Sequence, residues 1–193
     1  MQLENKKIGV AITGSFCTLS KCLKVLEELK NSRADVQAIL SENVASMDTR
    51  FGSAKDFRAK VESITGKECW SSIEEVEKIG PKKLLDVLVI IPCTGNTLSK
   101  LCYGITDTSV TMACKAHLRN DRAVVIGIST NDGLSNSAKN IGQMLTRKNV
   151  YFIPFGQDDW QSKACSLVAD FDKCVQTVEL ALEGKQIQPL LLK

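Results

Sequence analysis

Residues Leu88–Ile91 read Leu-Val-Ile-Ile with no apolar-polar alternation, and the chain runs from them straight into Pro92-Cys93-Thr94-Gly95-Asn96-Thr97. A strand that is apolar all round must be covered on both faces, which calls for a parallel sheet flanked by helices. Pro92 has no N–H to give a ladder and is expected to end the strand. The small hydroxyl and amide residues after it then stand at the carboxyl end of a central strand, where doubly wound sheets bind ligands.

The remainder of the chain alternates in the same sense. Strands are predicted at 7–13, 35–40, 123–128 and 150–153, and Leu19, Cys22, Leu23, Leu26 and Leu29 fall on one face of a helix ending near Lys30. Further helices are predicted up to about Thr65, at 98–103, at 108–118 and at 137–147, with a C-terminal one over 167–183 that Gly184 stops. Ser72-Ile73-Glu74-Glu75 has the capping-box pattern and starts a short helix that Gly80-Pro81 ends. The expected fold is α/β, a doubly wound, mostly parallel sheet with helices on both faces. With 193 residues, 44% of them hydrophobic, and no Pro/Gly/Ser-rich linker, one domain over 1–193 is expected.

Composition removes several functions. A net charge of +3 from scattered Lys and Arg leaves no basic stripe for nucleic acid. The eight cysteines contain no C-x-x-C and no zinc spacing, so most are expected to be small buried hydrophobes rather than a disulfide framework or a metal site. The apolar run after the polar N-terminus, Ile8–Ile12, is too short for a signal peptide, and no segment approaches a membrane span, so a cytoplasmic protein is expected. One histidine, His117, excludes a catalytic triad and a multi-histidine metal centre.

Three polar clusters follow three predicted strands. Gly14-Ser15-Phe16-Cys17-Thr18 joins the first strand to the first helix; it lacks the Lys and Ser/Thr of a phosphate loop, but a glycine, a hydroxyl and a helix N-terminus there suit a phosphate. An ordinary turn with a Ser or Thr N-cap fits the same residues. Thr94, Gly95, Asn96 and Thr97 follow the central strand, and Ser129-Thr130-Asn131-Asp132-Gly133 follows another, with Ser41 at the end of the second. Together they define a crevice of hydroxyls, amides and free N–H groups. Arg50, beside Phe51, offers a planar fork to an anion, and Lys100, Lys115, His117 and Arg119 put cations near the signature segment. His117 reads either as a proton donor or anion contact, or as a histidine satisfying a helix terminus. Gly156-Gln157-Asp158-Asp159 reads as a loop of solvated acids.

The run Pro92-Cys93-Thr94-Gly95-Asn96-Thr97-Leu98-Ser99-Lys100-Leu101, with Gly104-Ile105-Thr106-Asp107, resembles the signature of the flavoproteins that include the flavin-binding cysteine decarboxylases. Coverage is nearly end to end. The tracts 128–134, 140–142 and 154–159 narrow it to a branch of oxidoreductase subunits. The resemblance implies a flavodoxin-like Rossmann variant that binds FMN through Gly14, Ser15, Phe16, Ser41, Pro92, Thr94, Gly95, Asn96, Thr97, Ser129, Thr130 and Asn131. It also implies a homo-oligomer, a small dicarboxylate substrate, and a dehydrogenase-like partner that holds NADP. Catalytic residues stay open, with His117, Arg50 and Lys100 as candidates. A flavin-dependent decarboxylase is the rival reading, although 68–88 lacks the family's upstream histidine and Ser129-Thr130-Asn131-Asp132 keeps only the Asn of its later motif. A flavin-holding scaffold without catalytic residues of its own is the third.

Overall fold

The computed structural model describes residues 2–192; residues 1 and 193, the ends of the expected domain, lie outside that range. Five strands, β1 (Lys7–Ile12), β2 (Asp35–Leu40), β3 (Val87–Cys93), β4 (Ala123–Thr130) and β5 (Val150–Phe152), pair in parallel in the order β2-β1-β3-β4-β5. Two short strands, β6 (Phe155–Gly156) and β7 (Leu167–Ala169), join antiparallel, with β7 on the end of β4 and β6 outside it. The outer edge of β4 is therefore divided: Val124–Ile126 pair with β5, and Ser129 and Thr130 pair with β7.

All seven residues of β3 are buried, as its unbroken apolar run requires. Each fully buried Val, Leu or Ile there contributes about 1.5–3 kcal/mol. One face of the sheet is covered by α1 (Leu19–Asn31) and α9 (Cys174–Leu182), with α3 (Ala54–Thr65) packed on α1 and β2 and the short α2 (Glu42–Ser46) beside α3. The other face carries α6 (Gly95–Tyr103) and α7 (Ser109–Leu118). Behind α7 lie α4 (Ile73–Glu77) and α5 (Ile79–Lys82), and α8 (Ala138–Leu145) packs on α6 and β5. Helices on both faces of a mostly parallel sheet are the expected architecture.

Several boundaries differ from expectation, and four of them have a plain physical reason. Pro92 does not end β3: the register between Ile90 and Cys93 gains one residue against β4, a bulge that tolerates a residue without an N–H. The signature segment is not a loop before a helix at Leu98, because Thr94 caps a helix that begins at Gly95. Gly80-Pro81 does not stop α4 but lies inside α5, Pro81 occupying an early position where a missing N–H costs nothing. The stretch from Leu167 is a three-residue strand and then a 3-10 turn at Phe171–Lys173 before α9, so the C-terminal helix starts at Cys174. Leu167 and Ala169 are buried and Val168 less so, a period of two too short to stand out beside the helical pattern that follows.

Both edges of the sheet are occupied in part. Along β2, Leu40 N–H donates to Trp70 O (2.7 Å), Trp70 N–H donates to Ala38 O (3.0 Å), and the Gln37 side chain donates to Glu68 O (2.9 Å). Outside β6, Leu192 N–H donates to Phe155 O at 3.0 Å. The eight cysteines are unpaired, and Cys22, Cys69, Cys93, Cys102, Cys114 and Cys174 are buried as small hydrophobes. No helix among the described residues is long and apolar enough to cross a membrane.

Candidate functional site

The carboxyl ends of β1, β3 and β4 open onto one cleft of ≈ 630 Å³. Thr13 ties the first two strands together: its hydroxyl donates to Pro92 O (2.7 Å) and accepts from Thr94 N–H (3.1 Å). Ser15 then reaches across the end of β3 to Ser129, the two hydroxyls 2.8 Å apart. The first helix does not follow at once. A 3-10 turn, Phe16–Thr18, intervenes, α1 begins only at Leu19, and neither Ser15 nor Thr18 makes a side-chain cap. The glycine, hydroxyl and helix N-terminus expected together at Gly14-Ser15 are thus separated, and the N-cap reading of Ser15 fails as well.

On the β3 side the cleft is bounded by the first turn of α6. Thr94 Oγ1 accepts from Thr97 N–H at 3.2 Å, completing the cap. Gly95 is pressed against the β4 cluster, where a Cβ would come within 2.7 Å of Thr130 Oγ1, 2.8 Å of Asp132 Oδ1 and 2.8 Å of Ser137 Oγ. Asp132 accepts from the Thr130 hydroxyl and, at 2.8 Å, from the Ser137 hydroxyl. Its carboxylate therefore lies against the positive end of α6 on the cleft side. Ser129 and Thr130 belong to β4 rather than to the loop after it, and Asn131 and Asp132 begin the loop.

A second, smaller chamber of ≈ 290 Å³ adjoins the cleft, with Gly14, Thr94 and Asn96 lining both. Three helices begin at it. The capping residues Ser41, Thr94 and Thr108 line it, as do the second residues of α2, α6 and α7, which are Asn43, Asn96 and Val110. The backbone N–H groups of those three have no acceptor among the described residues, as expected of a first helical turn. Lys100 adds an ammonium, 2.8 Å from Asp107, whose carboxyl it holds below the usual range. Glu42 also lines the chamber, its carboxylate accepting from Ser109 N–H at 2.8 Å.

The structure gathers the expected binding residues unequally. Gly14, Ser15, Phe16, Thr94, Gly95, Asn96, Ser129, Thr130 and Asn131 line the large cleft, and Ser41 and Thr97 line the chamber. Pro92 lies behind them, buried in β3, its carbonyl held by Thr13. Arg50 reaches the cleft, its guanidinium 4.9 Å over the Phe51 ring in the tight turn between Thr49 and Gly52. His117 does not. It is buried, and its Nε2–H donates to Ala123 O (3.0 Å) at the start of β4, the end of the sheet opposite the cleft. Burial first, helped by nearby Arg122, lowers its pKa from 6.5 to about 4, so it is a neutral structural histidine. Lys115 and Arg119 are also absent from the cleft and line a separate one with Arg147.

Sequence reasoning passed over Thr108, and it did not foresee that the loop after β6 returns Asp158, Lys163 and Ser166 to the cleft. Thr108 and Thr111 form a capping box, a signal that was readable. Burial acts to raise the Asp158 carboxyl, but the Ser166 side chain and Lys163 outweigh it and hold it below the usual range.

A crevice of hydroxyls, amides and unused backbone donors at the switch point of a doubly wound sheet is where flavodoxin-like folds place their ligands. The chain belongs to the flavoprotein family, whose model, described as "Flavoprotein", matches residues 1–156. It is 46% identical to the B subunit of dipicolinate synthase from Bacillus subtilis (strain 168) over 191 residues, 99% of this chain and 96% of that one. The crystal structure of the dipicolinate synthase B subunit from Bacillus halodurans superposes with a TM-score of 0.92 at 42% identity, covering 100% of this chain and 99% of that one. The FMN-dependent cysteine decarboxylase SpaF shares the fold, with a TM-score of 0.65 at 16% identity over 95% of this chain and 99% of its own. The resemblance carried by the signature segment is therefore correct at the level of the family, and the narrower branch is that of the dipicolinate synthase B subunits.

Proposed function

We propose that this chain is the flavin-binding subunit of a dipicolinate synthase, holding FMN while a dihydrodipicolinate-type precursor is oxidised to pyridine-2,6-dicarboxylate. The near-full-length similarity to the B subunits of that enzyme carries the reading. A B subunit implies a companion A chain. We take that companion to be the dehydrogenase-like partner that binds NADP, and the setting to be the cytoplasm of a sporulating mother cell. We also take residues 1–193 to act as one flavoprotein domain.

The residues present fit FMN. In the small chamber, three helix N-termini, unused N–H groups and Lys100 favour a phosphate. We therefore assign the phosphate there and not to Gly14-Ser15, where only a three-residue 3-10 turn begins and α1 starts four residues later. Gly14, Thr94 and Asn96, shared by chamber and cleft, then contact the middle of the molecule. Ser15, Ser129, Thr130 and Asn131 face its other end in the large cleft. Bound there, FMN supplies the electron acceptor that aromatisation of the substrate requires. Arg50, its planar fork fixed over Phe51, is the residue to hold a substrate carboxylate. The open side of the cleft, rimmed by exposed Phe51, is where a neighbouring chain completes the site, either the dehydrogenase-like partner or another copy in a homo-oligomer.

The decarboxylase alternative finds no histidine at the cleft, since His117 lies at the far end of β4. The test is to assay the purified chain alone and mixed with its dehydrogenase-like partner for the ultraviolet-absorbing aromatic diacid. Product from the mixture and little or none from either chain alone is expected. Carbon dioxide release from a peptidyl cysteine by the isolated chain, with no aromatic diacid from the mixture, would show the wrong reaction class.

A further inference from the structure

Two of the cations that sequence reasoning placed near the crevice gather elsewhere. Lys115, Arg119 and Arg147 line a separate cleft of ≈ 480 Å³ between the end of α6, the outer side of α7 and the end of α8. Its apolar part is Leu101, Ile105, Cys114 and Leu118. Asp121 is the one acid among the lining residues, and Lys148 pairs with it at 3.0 Å. Lys115, Arg119 and Arg147 have no ion-pair partner among the described residues.

Two of the three are held in place by backbone. Arg147 Nη1 donates to Leu101 O at 3.1 Å, which fixes its guanidinium at the wall. Arg119 lies flat on α5 at Gly80, where a Cβ would meet Nε at 2.7 Å and Cζ at 2.9 Å, so the absence of a side chain at Gly80 makes room for it. Lys115 and Arg147 put two positive charges without ion-pair partners at one concavity, with Arg119 beside them towards α5, and a multiply charged anion relieves their repulsion. The volume falls in the range of small-molecule sites, and the apolar wall suits a flat or hydrocarbon body between the acid groups.

We propose that this cleft binds a small anion carrying two or more acid groups. The groups are carboxylates, as in the dicarboxylates of the proposed reaction, or phosphates, as in a nucleoside diphosphate. The site is separate from the flavin cleft and does not depend on the flavin assignment. Calorimetric titration of the full chain at low ionic strength, with pyridine-2,6-dicarboxylate in one arm and ADP in the other, distinguishes the two sources. The variants are the double change Lys115→Ala/Arg119→Ala and, as a control in the other chamber, Lys100→Met, each checked by circular dichroism. Both residues of the double change are solvent-exposed, so it should fold normally.

One of the two anions is expected to bind, with affinity falling roughly tenfold or more in the double variant and holding in Lys100→Met. Binding should also weaken as salt is raised. The proposal is overturned if neither anion binds at about 1 mM, or if the double change leaves every binding event of the parent unaltered. Loss of binding in Lys100→Met alone would likewise overturn it, by moving the anion to the other chamber.

Discussion

Ser15 and Ser129 meet hydroxyl to hydroxyl at 2.8 Å, although β3 separates the strands they come from. Ser129 is 5% exposed, so the contact is a clasp over the end of β3 that closes the floor of the cleft. Its partner Ser15 is left with no capping duty.

Removing the clasp should cost stability and loosen the floor. Ser129→Ala is expected to lose about 0.5–1.5 kcal/mol, the usual net value of one such hydrogen bond. A urea midpoint identical to the parent's at equal m-value would mean the two hydroxyls are satisfied separately.

Gly95 should not tolerate a side chain. A Cβ within 2.7 Å of Thr130 Oγ1 and 2.8 Å of Asp132 Oδ1 forces α6 away from the β4 cluster. Gly95→Ala is expected to cost about 1–3 kcal/mol as overpacking and to weaken flavin binding with it. An alanine variant as stable as the parent would show that the cluster gives way easily.

The two placements of the flavin phosphate separate by experiment. With the phosphate in the three-helix chamber, Lys100→Met should weaken FMN by roughly tenfold while leaving riboflavin nearly unchanged. Ser15→Asp should weaken both, because Ser15 faces the large cleft. The reverse pattern, with Ser15→Asp discriminating FMN from riboflavin and Lys100→Met having no effect, would return the phosphate to the β1 turn.

Asn96 is exposed and shared by both cavities. Asn96→Ala is expected to lower flavin affinity without moving the melting temperature, since no hydrogen bond of its side chain holds the fold among the described residues. Unchanged affinity at unchanged stability would leave it without a role.

Acid should find His117. Its pKa falls from 6.5 in the unfolded chain to about 4 in the folded one, so between those values the unfolded chain binds the proton and the native chain does not. Stability from this group is full above pH 6.5 and declines as pH falls towards 4, by up to about 3 kcal/mol. Denaturant titrations across that window should show a steeper loss in the parent than in His117→Gln. Parallel curves would place the titration elsewhere.

The bounds of β2 and the capping box at Ser72 were legible because each rests on neighbours in sequence, an unbroken apolar run or a hydroxyl three residues before a carboxylate. The start of α6 was not, since Gly95-Asn96-Thr97 are poor helix formers made helical by the Thr94 cap and by packing on Thr130. The misplaced cations share one cause. Residues near the signature in sequence lie on α7, which begins at the chamber and runs away from it, about 1.5 Å per residue. Thr108 and Val110 therefore reach the site, while Lys115, His117 and Arg119 are carried to the far end. The return of Asp158, Lys163 and Ser166 to the cleft depends on β7 pairing with the end of β4, a contact between short strands that periodicity does not show.

The occupied margins of the sheet govern how copies of this chain can meet. Trp70 and its neighbours engage the main-chain groups along β2, and at the opposite margin Leu192 engages Phe155. Where these pairings stand, the edge lacks the idle donors and acceptors that let one sheet continue into another. At these stretches an assembly must therefore join through side chains on helices and loops, where a charge or a shape can be varied to choose the neighbour. The backbone template that drives fibrous stacking is withheld in the folded state.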